Sequence, residues 1–338
     1  MSINSKEYAD GIALNSLYWQ DKLKREYNGK FFDTPYCILL HYPPNGAIKY
    51  LMESWCMIFE FMGIDCHLYP FWEEIDLYLD KYQPNIFITC ADEFYLSQFD
   101  TQKLTDRGIL IGHISGAADP IPIQPRHFII DFFLDRQAPR NREGIPIHQF
   151  QFGCNPLIHH TTDLGSDYSW FYCGTISGNK INLVQKWIFP IMDKIKGGCV
   201  AGYGWDNFGI ATKGLGIEEI PKYYSNTLVN LNLHQPGQIE RYFNVNERTV
   251  IIPACGGFQI LDNPKALPEF FLEDEVVSVS TPSEYCDAVE YFVKHPDDRL
   301  PYIEKALDRT FREHSLFHSL SRLIGFIGII LNDLSGVK

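Results

Sequence analysis

The stretch Asn246-Glu247-Arg248-Thr249-Val250-Ile251-Ile252-Pro253-Ala254-Cys255-Gly256-Gly257-Phe258-Gln259-Ile260-Leu261-Asp262 reads as a polar turn, a short apolar helix, a tight glycine break and a buried strand. Helices feeding strands in this way build parallel α/β sheets. The polar start of the helix carries the chemistry. Unsatisfied backbone N–H groups and the positive end of the helix dipole favour an anion there, and an arginine fork such as that of Arg248 adds charged hydrogen bonds. A phosphate fits that description. A structural helix with a surface arginine fits it too, and the rest of the chain decides between them.

Around this stretch the alternation continues. Ser169 to Cys173 reads as a strand ending at Gly174-Thr175, Asn179 to Ile195 as a helix, and Gly198 to Gly202 as a strand running into Gly202-Tyr203-Gly204-Trp205. Ile217 to Tyr224 reads as a short helix and Leu228 to His234 as a strand. Thr281-Pro282-Ser283-Glu284 is a capping box with proline at the first helical position, opening a helix through Val293. Asp297 to His314 and Leu316 to Leu334 follow as helices. A dinucleotide fingerprint needs a third glycine where this chain has Asn207, so a hydride-transferring enzyme is poorly supported.

Towards the N-terminus the same pattern recurs. Strands are expected over Pro35 to Tyr42, Ile64 to Pro70, Asn85 to Ala91, Gly108 to Ser115 and His127 to Phe133, with helices over Gly46 to Gly63 and Glu73 to Tyr82. Ile145 to Asp167, with its histidines, prolines and glycines, reads as an interdomain linker. The fold class is therefore α/β, two Rossmann-like doubly wound domains facing a cleft. The expected boundaries are an N-terminal helical extension over 1–34, an N-terminal domain over 35–160, a C-terminal domain over 161–315, and a last helix over 316–338 packing back on the N-terminal domain. Ligands of such sheets bind beyond the carboxyl ends of the strands. In the first domain that edge holds His41, Asn45, Asp92, Glu93 and His113.

Composition bounds the function. A chain of 338 residues is too long for one ordinary core, and 45% hydrophobic with 21% charged residues describes a globular protein. A formal net charge of -13 repels a phosphate backbone, so nucleic acid is not expected as a partner. The nine cysteines stand singly, without a C-x-x-C pair, and His159-His160 has no carboxylate at ligand spacing. No metal site, no disulfide framework and a cytoplasmic setting are expected. The N-terminus lacks a signal-peptide core, and the late apolar run Leu323 to Leu331 is too short to span a bilayer. The N-terminal helix mixes Tyr8, Ile12, Leu17, Tyr18, Trp19 and Leu23 with Lys22, Lys24 and Arg25. Packing onto the body is its expected use, with peripheral membrane contact as the alternative.

Residues from about 168 to 322 resemble the C-terminal domain of CgeB-like (spore maturation protein) glycosyltransferases of the GT-B fold, a group related to the family 1 transferases. The resemblance rests on Phe171-Tyr172-Cys173-Gly174-Thr175, Gly202-Tyr203-Gly204-Trp205, Leu231-Asn232-Leu233-His234, Asn246-Glu247-Arg248-Thr249 and Ala254-Cys255-Gly256-Gly257-Phe258, in family order. His295-Pro296-Asp297-Asp298-Arg299 and Arg312-Glu313-His314 also fit. The resemblance implies a glycosyltransferase that moves a sugar from a nucleotide-sugar to a glycan or other hydroxyl acceptor, retaining, with no metal and no cofactor. It places the donor at Gly174, Thr175, Gly202, Tyr203, Gly204, Trp205, Asn232, His234, Asn246, Glu247, Arg248 and Gly256, with Lys180 as an additional cation. Such transferases hold the acceptor mainly in the N-terminal domain, so of the strand-end residues there His41, Asn45 and Glu93 are the acceptor-side candidates, and His113 or Asp92, beside the anomeric centre, the catalytic ones. Where the family carries a phenylalanine-glutamate pair whose glutamate binds the ribose, this chain has Val250-Ile251. Ribose recognition then falls to another group such as Glu247, or the protein is a catalytically degenerate nucleotide- or glycan-binding protein. A sugar-nucleotide epimerase is a third, weaker reading.

Overall fold

The computed structural model describes residues 3–44, 46–91, 93–115, 126–134, 144–162, 164–178, 180–212, 214–240 and 244–336. Asn45 and Asp92 lie outside the described residues, as does the side chain of Glu93.

The first half runs α1 (Ile3–Tyr27), β1 (Cys37–Tyr42), α2 (Ala47–Phe61), β2 (Asp65–Pro70), α3 (Ile75–Tyr82), β3 (Ile86–Cys90), α4 (Glu93–Leu96), α5 (Thr101–Asp106), β4 (Leu110–Ser115), β5 (His127–Asp131) and β6 (Ile147–Gln149). The second runs β7 (Tyr168–Cys173), α6 (Lys180–Trp187), α7 (Phe189–Lys194), β8 (Gly198–Ala201), α8 (Ile220–Ser225), β9 (Thr227–Asn232), α9 (Pro236–Glu240), α10 (Arg248–Ala254), β10 (Gln259–Leu261), β11 (Val277–Ser278), α11 (Pro282–Lys294), α12 (Leu300–Glu313) and α13 (Leu316–Ser335).

Two sheets result, ordered β2-β1-β3-β4-β5-β6 and β11-β10-β9-β7-β8, and the strand pairs are parallel. Both are doubly wound α/β sheets. By compactness the chain divides into one unit of Met1–Leu23 with Phe152–Ser315 and another of Lys24–Gln151 with Leu316–Lys338.

Local chemistry explains most of the elements. The capping box of α11 forms as the Thr281 and Glu284 side chains imply. The helix expected over Asn179 to Ile195 is instead two, because Pro190 stands in the first turn of α7; its missing N–H breaks the ladder. The stretch read as a linker contains β6, whose three residues pair with β5. Three residues without alternation leave little pattern to read.

In the unit built on the first sheet, Leu39, Phe87 and Ile111 pack with Tyr69, Leu79 and Leu104. The helix α13 contacts α2, burying Leu316, Phe317, Leu320, Leu323, Ile324, Ile327 and Ile330. At 20 residues it is long and apolar enough to cross a membrane by length and composition, beyond the nine-residue run seen in sequence. Its buried stripe is that of a core helix. In the other unit, the N-terminal part of α1 is held by a hydrogen bond from Tyr8 to Glu304 and one of 2.9 Å from the Trp19 indole to Asp308.

Two buried histidines make stability pH-dependent. Burial lowers the pKa of His41 from 6.5 to about 4 and that of His159 to about 3, with His160 adding to the effect. Both are neutral in the folded protein, so below pH 6.5 the unfolded chain binds more protons. Stability is therefore full above about pH 6.5 and falls as pH drops towards 4, by about 1.4 kcal/mol per unit for each histidine. Urea unfolding across that window should show the slope, reduced in His41→Phe. An unchanged slope in the variant would remove His41 as a source.

Candidate functional site

Within the second sheet, β7 is flanked by β8 on one side and β9 on the other, so chain order reverses at the β7/β9 boundary. Ligands of open α/β sheets gather at such a switch point, outside the carboxyl ends of the strands. Arg248 sits there. Its Nη1 donates to the carbonyl of Cys173, at the end of β7, and its Nη2 donates to that of Leu233, just past β9, at 2.7 Å. The guanidinium lies 5.1 Å from the centre of the Tyr172 ring, and a Cβ on Gly174 would come within 2.9 Å of Nη1. Glycine at 174 thus leaves the space that the fork occupies.

A second cation stands beside it. Burial and then the positive charge of Arg248 lower the pKa of Lys180, the first residue of α6. Two partly buried like charges repel, and an anion between them relieves that repulsion. Glu247, adjacent in sequence, has its carboxyl pushed up to about 7 by burial, with Arg248 acting in the opposite direction. It is therefore divided between neutral and ionised forms near neutral pH.

The loops after β7 and β8 are laced together. The backbone N–H of Ile176 donates to Tyr203 at 2.8 Å, and the buried Trp205 indole donates to the Gly174 carbonyl at 3.0 Å. Gly202 and Gly204 adopt φ of 119° and 88°, and a Cβ on either would fall 2.5 or 2.1 Å from the carbonyl oxygens of Gly174 and Ile176. These glycines serve close packing of the two loops. Trp205 is a peg between them, buried away from a base, whereas Tyr203 is 66% exposed. Thr175 is exposed at the same edge.

Asn232, His234 and Asn246 belong to a buried polar network beneath α10. The His234 Nδ1 lies 2.6 Å from Asp262 Oδ1, and its backbone N–H donates to Asp262 Oδ2 at 2.8 Å. With Nδ1 donating to the carboxylate, Nε2 accepts from the Thr249 hydroxyl at 3.0 Å. Burial lowers the pKa of His234 despite the opposing pull of Asp262, which keeps the ring neutral. Asn232 Nδ2 donates to Thr249 Oγ1 at 3.1 Å and to Gln259 Oε1 at 2.9 Å. Asn246 donates to Asn232 Oδ1 at 2.8 Å and accepts the Thr249 backbone N–H at 3.2 Å.

This changes the reading of the helix start. Asn246 caps α10 itself, satisfying a donor that the sequence left open for an anion. Gly256, with φ of 70°, follows the C-terminal end of α10. Seven residues of helix, about 10 Å, separate it from Arg248, so it does not join the group at the strand ends. Ile251 packs in an apolar cluster with Phe171, Tyr224 and Ile252.

In the unit built on the first sheet, His41 stands one residue before the end of β1, at the corresponding β1/β3 reversal. Its Nδ1 is 2.8 Å from Thr89 Oγ1, and its ring packs among Tyr69, Phe87, Tyr95 and Phe99. His113 is fully buried in β4, with Nε2 3.0 Å from His127 Nδ1. Both rings are enclosed within this unit. His159 and His160 each bond nearby backbone, the first accepting from Asn155 N at 2.9 Å and the second lying 2.7 Å from the Ile158 carbonyl oxygen.

Tyr172, Thr249, Gln259, Asp262 and Tyr285, whose hydroxyl accepts the Asn232 backbone N–H at 2.9 Å, were not apparent as site residues from sequence. Asp262 was the most legible of them: it follows β10, whose Leu261 is in register with Asn232 of β9.

The strand order of this sheet is that of a doubly wound, Rossmann-like unit, and two cations stand at its switch point. Comparison with known proteins narrows the class. Residues 185–325 match the family model described as glycosyl transferase-like. No curated protein matches the chain. Among solved structures, an alpha-glucosyltransferase in complex with UDP and a 13-mer DNA containing an HMU base superposes with a TM-score of 0.63 at 12% identity, covering 86% of this chain and 99% of that one. A glycosyltransferase from Rickettsia africae gives 0.60 at 12%, covering 88% and 99%. T4 phage BGT in complex with its UDP-glucose substrate gives 0.57 at 12%, covering 82% and 95%. The fold is that of GT-B glycosyltransferases, two Rossmann-like domains, and the chain carries a glycosyl transferase-like segment.

Proposed function

We propose that the protein is a glycosyltransferase that moves a sugar from a nucleotide-sugar donor to a glycan or other hydroxyl acceptor, with retention and with no metal at the transfer site. The observation that carries this reading is the Arg248–Lys180 pair at the β7/β9 switch point. Departure of a nucleoside diphosphate builds negative charge, and donors already held in place stabilise it without reorganising. Arg248 is fixed by two strand-end carbonyls and retains further donors of its five-donor fork for the phosphates. Lys180 supplies the second charge. Tyr203 is the aromatic available to the base, and the Glu247 carboxyl takes the ribose hydroxyls in place of the family glutamate.

UDP is the first nucleotide to test, because two of the three similar structures are named with UDP or UDP-glucose. One of those structures contains DNA, but a net charge of -13 favours an uncharged or weakly charged acceptor for this chain. Proteins named as alpha- and beta-glucosyltransferases share this fold, so retention rests on the CgeB-like resemblance of the second half. The enclosed seats of His41 and His113 favour it, since inversion requires a base at the acceptor hydroxyl. A cytoplasmic location is part of this reading; nine free thiols suit a reducing compartment.

The test is a thermal-shift panel of UDP, GDP, CDP, ADP and dTDP, followed by hydrolysis of the matching nucleotide-sugar with and without chelator. One nucleotide should raise Tm, since saturation at a hundred times Kd stabilises by about 2.7 kcal/mol, and donor turnover should survive the chelator. No shift with any nucleotide would overturn the reading. A shift without turnover would favour the second reading, a degenerate binding protein, which the apolar seat of Ile251 supports.

A further inference from the structure

The amino edge of the first sheet holds a cluster that sugar transfer does not use. Cys37 opens β1 and Asp65 opens β2, and the two are directly paired in the parallel register. His67 follows Asp65 by two residues, so the period of the strand points both side chains to one face. The result is a thiol, a carboxylate and an imidazole whose ligand atoms all lie within 4.8 Å of one another.

The three are already oriented. His67 Nε2 is 2.9 Å from Asp65 Oδ1, and the His67 ring stacks on Tyr82 with centroids 3.7 Å apart. The Cys37 thiol lies 3.4 Å from the Tyr82 carbonyl, so one residue, Tyr82, supports both flanking ligands. Cys37 and His67 are half-buried and Asp65 is exposed, so the cluster opens to solvent on one side.

We infer that Cys37, Asp65 and His67 form a binding site for a borderline-soft divalent cation of the zinc type, with the fourth position open to water. A thiolate with an imidazole suits zinc and its neighbours, whereas calcium and magnesium take oxygen ligands. Bond lengths of about 2.0–2.3 Å put two ligands of a tetrahedral zinc about 3.3–3.7 Å apart, so the wider pairs close on an ion by about 1.5 Å or less and the His67–Asp65 pair opens slightly. The cation takes up the Cys37 thiolate as the thiol proton leaves to solvent. The site is distinct from the transfer chemistry. Cys37 and His41 stand at opposite ends of β1, about 13 Å apart along the strand.

Titration of the metal-free full-length protein with Co2+ tests this, since cobalt reports a thiolate ligand by a near-ultraviolet charge-transfer band. The expected result is one saturating equivalent, a band abolished in Cys37→Ser, and affinity at least about tenfold weaker in His67→Ala. No saturable band, or one that persists in Cys37→Ser and so comes from another cysteine, would overturn the inference. If Cys37→Ser melts early, His67→Ala decides: unchanged cobalt affinity overturns the site, and weakened affinity supports it.

Discussion

Arg248→Met lowers kcat/KM for the nucleotide-sugar by about 100-fold or more, the loss expected when a preorganised donor to a developing anion is removed. The same change releases the carbonyls of Cys173 and Leu233, so stability also falls, by about 1–3 kcal/mol. The two effects separate by measuring nucleoside diphosphate affinity at a temperature where both proteins are fully folded. Arg248→Lys keeps the charge but loses the fork, and should fall between. Equal affinity for UDP, or whichever nucleotide stabilises the parent, in parent and Arg248→Met would remove the diphosphate from this corner.

The second large effect is on the fold. Asp262→Ala leaves the His234 backbone N–H and its Nδ1–H without their acceptor, both fully buried. Each orphaned donor costs about 1–3 kcal/mol, so urea unfolding should show a loss of several kcal/mol. The loss also spreads along the chain of bonds through Thr249 to Asn232 and Asn246, because a partly satisfied buried network is costly. Nucleotide affinity should weaken as well, since Thr249 and Asn246 fix the start of the helix that carries Arg248. A loss under about 1 kcal/mol would mean that the network is not what holds α10 in place.

These outcomes assign different duties to residues that are neighbours in sequence. Arg248 reaches back to the strand ends, while Thr249, one residue on, turns into the buried network. A helix rotates about 100° per residue, so adjacent positions face different surroundings. The same division separates Tyr203 from Trp205, one exposed and one buried under the loop it pins.

The order of residues was enough to show alternating strands and helices, the capped start of α11, and Arg248 at a helix start. Those are local properties: hydrophobic period, turn chemistry and capping pairs act within a few residues. It did not reveal the break at Pro190, although the residue was in view, or the three-residue β6, which carries too little pattern. Tertiary structure alone decided which polar side chains pair with one another and which stand at the open strand ends. Asn232, His234 and Asn246 had the composition of a binding site, but the register of β9 beside β10 brings Gln259 and Asp262 to them and closes the network. His113 likewise meets His127 across the β4–β5 pair. A residue's type states what it is able to bond; the sheet register and the helix laid over it settle what it does bond, and those contacts join positions far apart in the chain.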